Sequence, residues 1–342
     1  MTELLAANLR VFLIALGVSY VVTPLIGSLA RFFKVIDRPA KNKFHRIPTP
    51  RLGGLAIFAG YFLALYLTGS LGSPMSLIVA GGAVALLLGA LDDIFKVPAL
   101  VKLAVLSILT VIMARHGLII HMFGKDLFYL NLIVTFLWIV GVTSAFNAVD
   151  NMDGLAAGLG AIASATFFVI AVRTGQWGWA PRVAALCGAL LGFLRYNFNP
   201  AKIFMGDSGS FFLGFTLAAI SIKGDWSNNA GKASIIPLLV LAVPIFDITY
   251  SVVRRWMDGT VKGLVKAITF CATDHLSHRL IRVGLSERLA VLFIYLIAVC
   301  VSIGAVILQG AAGWDAVLLF LQFILIFIVV FILLGVTKRI KG

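Results

Sequence analysis

Long apolar runs fill most of the 342 positions of this chain and restrict it to few folds. Each run has about 15 to 23 mostly apolar residues, and a helix needs about 20 residues to cross the hydrocarbon core of a bilayer. The runs lack the two-residue alternation of a membrane β-barrel, and a helix satisfies its own backbone hydrogen bonds inside lipid. We therefore expect an all-α fold, a polytopic membrane helical bundle.

Eleven of these runs are candidates for transmembrane helices, although several are short for a full crossing. They lie near residues 8–30, 52–71, 75–91, 100–115, 127–146, 155–172, 182–195, 208–222, 234–253, 288–308 and 314–336. No stretch between them is long enough for a second core, so we expect a single integral membrane domain over residues 1–342. The first run is longer than the apolar region of a signal peptide and should remain as an uncleaved span.

The distribution of positive charge predicts the orientation of the bundle. With eleven spans, the connecting segments alternate between two sides, and 21 of the 28 Lys and Arg residues fall on one of them. The positive-inside rule makes that side cytoplasmic, which places the N-terminus outside and the C-terminus in the cytosol. In so apolar a chain, the net charge of +14 therefore indicates orientation, and we expect no nucleic-acid partner.

Ten of the fourteen acidic residues fall on the same side as most of the basic residues. They are Asp37, Asp92, Asp93, Asp150, Asp153, Asp207, Asp247, Asp258, Asp274 and Glu287. Charge next to hydrocarbon is costly and tends to mark function. This grouping predicts a catalytic face on the cytoplasmic side of the membrane.

The motif LDDIFK ends the third predicted span and places two carboxylates side by side. Asp92 and Asp93 lie at the inner boundary, and Lys102 enters the next span. Adjacent carboxylates repel each other, so such a pair commonly recruits a divalent cation or holds a proton. The alternative interpretation is a solvated helix end.

The motif NAVDNMDGLAAG follows the fifth predicted span and repeats polar residues every third position. Asn147, Asp150 and Asp153 would lie close to one face of a helical turn. Their amide and carboxylate groups suit a base, a sugar or a metal ion. The alternative is that Asn151 or Asp153 merely caps the sixth helix.

The segment NFNPAKIFMGDSGSFFLG leads into the eighth predicted span. Asp207 precedes small residues at a helix start, where free N–H groups and the helix dipole favour a phosphate group. Asp207 is placed to hold the metal ion that such a phosphate needs. The same GDSG letters surround the nucleophile of trypsin-like proteases, but a β-barrel protease has no place in this apolar chain.

The longest inner loop, residues 254–288, contains the motif TDHLSHRLIR. His275 and His278 are three residues apart and would share a helix face with Arg279 nearby. This cluster can clamp an anionic leaving group, bind zinc, or contact anionic lipid headgroups from an interfacial helix. Asp247, inside the ninth span, is as readily a structural pairing partner as a catalytic group, and we assign it no role.

Five motifs in a fixed order give a resemblance to a known family. HRIPTPRLGG, LDDIFKVPALVK, NAVDNMDGLAAG, NFNPAKIFMGDSGS and DHLSHRL, spread over residues 45–280, resemble those of the bacterial polyprenyl-phosphate N-acetylhexosamine-1-phosphate transferases, relatives of phospho-N-acetylmuramoyl-pentapeptide transferase. The resemblance implies transfer of an N-acetylhexosamine-1-phosphate, with GlcNAc favoured, from a UDP-sugar to undecaprenyl phosphate and release of UMP. This step starts cell-envelope glycans such as lipopolysaccharide O-antigen and teichoic acid.

The resemblance also implies a cofactor, a location and roles for single residues. It implies Mg²⁺, with Mn²⁺ as the alternative ion, in a multi-pass protein of the bacterial inner membrane, and it is compatible with a homodimer. The implied catalytic residues are Asp92, Asp93, Asp207, His275 and His278, with Asp207 and Asp93 as metal ligands. The implied substrate-binding residues are Lys102 for the prenyl phosphate, and Asn147, Asp150, Asp153, Arg279 and His45.

One position departs from the family pattern, and two other functions compete with this interpretation. Family members often read HLHH where this chain has Ser277 in the third position. An intramembrane prenyltransferase would also use an Asn and Asp motif, but it needs a second Asp-rich motif that the chain lacks. A transporter would place its polar site near the bilayer midplane rather than at one surface.

Overall fold

Thirteen α-helices and one pair of very short strands make up the part of the chain that the structure describes. A computed structural model describes residues 2–39, 47–124, 126–227, 229–257 and 275–336. The helices are α1 (Thr2–Phe32), α2 (Gly54–Leu67), α3 (Met75–Phe95), α4 (Ala99–Arg115), α5 (Phe128–Val149), α6 (Leu155–Arg173), α7 (Ala180–Asn197), α8 (Gly206–Lys223), α9 (Ala230–Val240), α10 (Ala242–Met257), α11 (Leu276–Arg282), α12 (Glu287–Gly310) and α13 (Gly313–Val336). Strands β1 (Ile36–Asp37) and β2 (Thr49–Pro50) pair antiparallel. The prediction of a helical bundle is confirmed, with this strand pair as its exception.

Ten of the eleven predicted spans each coincide with one helix, but not every helix is long and apolar enough to cross a membrane by itself. Six of the described helices meet that requirement, or seven if the bent pair α9 and α10 counts as one span. Helix α2 has 14 residues and α4 has 17, which gives lengths of roughly 21 to 26 Å against a hydrocarbon core of about 30 Å. The multi-pass character is therefore shown. The count of eleven crossings, the orientation of the termini and the single domain over 1–342 stay predictions.

Contacts between distant residues show that helices run in alternate directions between two ends of the bundle. At one end, Asp93 near the end of α3 binds the first residues of α8, and Asp153 before α6 binds Ala201 after α7. At the other end, Arg173 at the end of α6 contacts the carbonyl of Val306 near the end of α12. We call the first of these the site end, because the segments that hold the predicted site residues meet there.

The ninth predicted span is not one helix. It consists of α9 and α10, which are bent by 74° about the break at Leu241. Pro244 lies in the first turn of α10, where its missing N–H needs no partner. In a continuous helix the ring of Pro244 would clash with the carbonyl of Val240, so the sequence favours a break at this point.

Helix α8 lies at the centre of the bundle, packed mainly against α3 and α5. Every residue from Ser208 to Ser221 is buried, so this helix has no exposed face along that length. Two glycines let its first turn approach neighbouring backbones. A Cβ on Gly89 of α3 would lie 2.1 Å from the carbonyl oxygen of Asp207, and one on Gly54 of α2 would lie 2.2 Å from the amide nitrogen of Gly209. These contacts fix where Asp207 sits.

Candidate active site

Asp93 caps the first turn of α8. Its Oδ1 accepts the N–H of Asp207 and its Oδ2 accepts the N–H of Ser208, both at 3.1 Å. Arg51 adds an ion pair, with Nη1 at 3.4 Å from Oδ1 of Asp93. Asp92 and Asp93 are 4% and 9% exposed, which rules out a solvated helix end. We expected free N–H groups at the start of α8 to face a phosphate. The N–H groups of Asp207 and Ser208 are not free, because both donate to Asp93.

Arg51 joins the strand pair to the capped start of α8. Its Nη2 lies 3.1 Å from Oδ1 of Asp37, which is in β1, while its Nη1 faces Asp93. Burial lowers the pKa of the Arg51 guanidinium, but the carboxylates of Asp37 and Asp93 outweigh this effect and leave its pKa above the ordinary value. Sequence reasoning missed this role because Arg51 was counted only among the 21 basic residues that predict the orientation.

Asp92 faces a cation and a second carboxylate. Its Oδ2 lies 2.7 Å from Nζ of Lys102 in α4, and its Oδ1 accepts the N–H of Val97 at 2.7 Å. The carboxyl groups of Asp92 and Asp207 are close enough for each to act on the charge of the other. Two carboxylates this close share a proton or a cation, because otherwise their charges repel.

Asn147 and Asp150 complete this cluster from the end of α5. Nδ2 of Asn147 donates to Oδ1 of Asp207 and to Oγ of Ser210, both at 3.0 Å. Burial raises the pKa of Asp150 well above its usual value, and the charges of Asp207 and Asp93 raise it further. Negative charge therefore exceeds positive charge around these carboxyls, which is the electrostatic setting that a divalent cation stabilises.

The donor atoms around Asp207 fit a magnesium ion that also binds substrate. Among residues 2–39, 47–124, 126–227, 229–257 and 275–336, no three His, Cys, Asp or Glu side chains converge as a complete ligand set. Magnesium usually takes only one or two carboxylates and completes its shell with water and substrate phosphates. The Asp92 and Asp207 pair meets that requirement. Asp93 already receives three hydrogen bonds on its roughly four lone-pair sites, so the ligand role predicted for it would use the remaining one.

Asp153 holds the connection between α7 and α8. Its Oδ2 accepts the N–H of Ala201 at 2.8 Å and Nδ2 of Asn199 at 3.2 Å. The alternative that Asn151 or Asp153 caps α6 is wrong, because the residue at the cap position is Gly154, at φ +80°, and its N–H donates to Oδ1 of Asn197 at 3.1 Å. The expected contact of Asp153 with a nucleotide-sugar stays a prediction.

His275 sits at the start of α11 against a buried carboxylate. Its Nδ1 lies 2.7 Å from Oδ2 of Asp247, and Oδ1 of Asp247 accepts the N–H of Leu276 at 2.6 Å. Oγ of Ser251 lies 3.4 Å from the same ring nitrogen. Sequence reasoning left Asp247 without a role, although a carboxylate inside an apolar span was a usable signal.

Helix α11 is attached to the loop that carries the Asn and Asp motif. Oγ of Ser277 donates to Oδ1 of Asn151 at 2.7 Å, so the residue that departs from the family pattern links the two predicted substrate segments. Arg279 is buried, with its guanidinium 4.9 Å from the ring centre of Tyr250. A buried Arg279 argues against a helix lying freely on lipid headgroups. The His275 and His278 ring centres are 6.4 Å apart, and no third zinc ligand joins them among the described residues.

The structure thus gathers most of the predicted residues into two linked groups at the site end. The first contains Asp92, Asp93, Lys102, Asn147, Asp150 and Asp207. The second contains His275, His278 and Arg279 on α11. The predicted substrate contact His45 lies outside the described residues, as do Asp258 and Asp274.

Comparisons with known proteins agree with the ordered motifs. A family model described as glycosyl transferase family 4 matches residues 75–225. The chain is 36% identical over 323 residues to a Bacillus subtilis (strain 168) protein named probable undecaprenyl-phosphate N-acetylglucosaminyl 1-phosphate transferase, and the match covers 92% of this chain and 88% of that relative.

The names of two further relatives state another lipid acceptor and another sugar. A Mycobacterium tuberculosis (strain ATCC 25618 / H37Rv) protein named decaprenyl-phosphate N-acetylglucosaminephosphotransferase is 35% identical over 84% of this chain and 79% of its own length. A Bacillus cytotoxicus phospho-N-acetylmuramoyl-pentapeptide-transferase is 31% identical over 62% of this chain and 72% of its own length.

Proposed function

The chain belongs to the polyprenyl-phosphate N-acetylglucosamine-1-phosphate transferases of glycosyl transferase family 4, and we propose that it transfers GlcNAc-1-phosphate from UDP-GlcNAc to undecaprenyl phosphate and releases UMP. The observation that carries this proposal is the convergence of Asp92, Asp207, Asn147 and Lys102 at the site end. A lysine beside paired carboxylates provides one positive group for a phosphate and a place for a divalent ion. Neither a prenyltransferase nor a transporter accounts for these relatives.

We propose Mg²⁺ as the cofactor, with Asp207 as its main protein ligand and Asp92 beside it. Mn²⁺ is the alternative ion, because both accept carboxylate, phosphate and water oxygens. When bound, the ion neutralises negative charge on the diphosphate of the donor. Asn147 keeps the Asp207 carboxylate in place by donating to its Oδ1.

The proposed reaction is a direct in-line displacement. An oxygen of the lipid phosphate forms a bond to the sugar-proximal phosphorus while the bond from that phosphorus to the bridging oxygen breaks, and UMP leaves with the electron pair. The second pKa of a phosphate monoester is near 6, so the acceptor is largely dianionic at neutral pH and needs no strong base. Catalysis then consists mainly of positioning and charge stabilisation.

The remaining predicted residues are assigned to the donor. Asp150 and Asp153 lie in the α5–α6 connection, where they flank the Asn151 contact to α11. His275, His278 and Arg279 on α11 would steady the leaving UMP through charge-assisted hydrogen bonds. A phospho-aspartate intermediate is the competing route, and trapping of labelled phosphate on the protein without acceptor lipid would establish it.

Lys102 is expected to bind the acceptor phosphate while neutralising Asp92. Lys102→Gln removes that charge and should raise KM for undecaprenyl phosphate about tenfold, because a hydrogen bond to a charged group contributes about 1.5 to 3 kcal/mol. Steady-state kinetics with varied lipid acceptor measure this. Lys223→Gln, an exposed lysine at the opposite end of the bundle, is the matched control. An unchanged KM for the lipid in Lys102→Gln would remove Lys102 from the acceptor site.

We further propose that the site end faces the cytoplasm of the bacterial inner membrane, where UDP-sugars are available. In a variant with Cys187, Cys271 and Cys300 replaced, an exposed Cys at position 202, at the site end, should react with a membrane-impermeant maleimide only after the inner membrane is opened. An exposed Cys at position 178, at the other end, should react with the same maleimide in cells whose inner membrane is intact and whose outer layers have been made permeable. The opposite labelling pattern would reverse the orientation. The homodimer and the particular envelope glycan stay predictions.

The activity itself is tested with purified protein, Mg²⁺, radiolabelled UDP-GlcNAc and undecaprenyl phosphate. We expect labelled lipid-diphosphate-GlcNAc together with an equal amount of UMP. A prenyltransferase would instead form a product without a nucleotide donor, and a transporter would release neither compound. A panel of UDP-sugars in the same assay identifies the preferred N-acetylhexosamine.

A further inference from the structure

Asp247 is a buried carboxylate for which the reaction described so far has no use. It lies on α10, is 2% exposed, and uses one oxygen for Nδ1 of His275 and the other for the N–H of Leu276. We propose that Asp247 is a positioning residue that fixes the proton on Nδ1 of His275 and holds α11 in place, so that Nε2 of His275 faces the substrate. This inference rests on the proposed function, in which His275 contacts the donor.

The face of α10 around Asp247 is built to receive α11. Asp247, Tyr250 and Ser251 are three and four residues apart and therefore lie on one side of the helix. All three are buried. Asp247 and Ser251 contact His275, and Tyr250 lies under the guanidinium of Arg279, one turn further along α11. Two of the three side chains that we assign to the leaving group, His275 and Arg279, are thus held by the same face of α10.

The hydrogen bonds decide the tautomer of His275. An ionised carboxylate only accepts hydrogen bonds, so a proton must lie on Nδ1 for the 2.7 Å contact with Asp247 to form. The 2.6 Å bond from the N–H of Leu276 shows that the other oxygen also acts as an acceptor. With Nδ1 committed, Nε2 is the ring atom left for chemistry, either as an acceptor or, in the doubly protonated ring, as a donor to phosphate.

Asp247→Asn is the informative substitution because it changes which ring nitrogen of His275 carries the proton and changes little else. The Asn oxygen can still accept from Leu276, but its NH₂ group would donate to Nδ1 and force the proton onto Nε2. The helix contact is kept while the tautomer is reversed. Loss of activity in this variant would therefore report on His275 rather than on the packing of α10 against α11.

The first test needs no substrate. The chain has five histidines, so ¹⁵N-histidine labelling of the full-length protein in detergent gives few signals, and His275→Gln assigns the pair that belongs to His275. We expect the proton on Nδ1 in the unsubstituted protein and on Nε2 in Asp247→Asn. A neutral His275 with its proton on Nε2 in the unsubstituted protein would overturn the proposal, even if the variant fails to fold.

The second test separates positioning from an independent structural effect. Asp247→Asn should lower kcat by about 10- to 100-fold, as is typical when the carboxylate that orients a functional histidine is removed, with KM for UDP-GlcNAc changed less than about threefold. When Asp247→Asn is introduced into His275→Gln, kcat should fall by less than about twofold. The effects of residues that act as a unit are not additive, so little further activity is lost once His275 is gone. Equal losses in both backgrounds would overturn the proposal.

Asp225→Asn, an exposed carboxylate at the opposite end, is the matched control and should keep full activity. If the unsubstituted protein forms no lipid-linked sugar, the proposed function fails, whereas the histidine spectra still decide the role of Asp247.

Discussion

Asp207→Asn should lower kcat by about three orders of magnitude while leaving the fold intact, as expected for loss of a group that stabilises charge in the transition state. The Asp207 carboxylate is within reach of Asp92 and is held by Asn147, so it is the best-placed anchor for the proposed Mg²⁺. Asn is close in size and keeps the backbone N–H that Asp93 accepts. The measurement is the initial rate of UMP release at saturating UDP-GlcNAc and lipid phosphate.

The control for this prediction is Asp225→Asn, which removes a carboxylate from the opposite end of the bundle and should leave the rate unchanged. Raising the Mg²⁺ concentration should recover little of the lost rate in Asp207→Asn, because the ligand atom itself is missing. An Asp207→Asn enzyme within tenfold of the unsubstituted rate would show that the ion is held elsewhere.

Gly89→Ala should lower the free energy of unfolding by about 3 kcal/mol, at the upper end of the cost of overpacking a core, and should reduce activity with it. The new Cβ would lie 2.1 Å from the carbonyl oxygen of Asp207 and 2.6 Å from the amide nitrogen of Ser208. Both are backbone atoms at the start of α8, so no side chain can move aside. The expected response is a shift of α8 away from α3, which also displaces Asp207.

Unfolding in detergent mixtures, followed by tryptophan fluorescence, measures this loss. Gly141→Ala is the matched control: it is also inside a membrane helix, but its Cβ would meet nothing within 4 Å. We expect that variant to be as stable as the unsubstituted protein. If both alanine variants unfold alike, the close approach of α3 and α8 does not determine stability.

The helices could be predicted from the sequence because the signal is local. Ten of the eleven apolar runs coincide with single helices, since each run carries its own length and composition. The ninth was missed as a broken pair, although Pro244 marked the place. Periodicity and run length do not report the angle between consecutive segments, which depends on what packs against them.

The gathering of polar residues at one end also followed from the sequence, because alternating spans bring every second connection together. The pairings inside that end did not follow. Asp93 bonds to an amide 114 residues away, and Asp153 holds Ala201 instead of capping the helix that begins beside it. Such contacts depend on how helices are rotated against each other, and nothing in a local window of sequence encodes that rotation.

Partners of charged residues were the hardest feature to predict. Arg51 was interpreted as one of many basic residues in an inner loop, yet it lies between Asp37 and Asp93. Asp247 was left without a role, yet its Oδ2 lies 2.7 Å from Nδ1 of His275. In both cases the sequence indicated a costly charge near hydrocarbon, and only the folded arrangement identified the partner.

The most direct test of the proposed reaction uses a donor labelled at two positions, UDP-GlcNAc with ³²P in the sugar-proximal phosphate and ¹⁴C in the sugar. Transfer of GlcNAc-1-phosphate predicts that both labels enter the lipid in a 1:1 ratio and that the released nucleotide is unlabelled UMP. Asp207→Asn is the negative control, in which we expect almost no label to enter the lipid. Appearance of ¹⁴C alone in the lipid, with ³²P released as UDP, would contradict the account, because the bond broken would then be the one between sugar and phosphate.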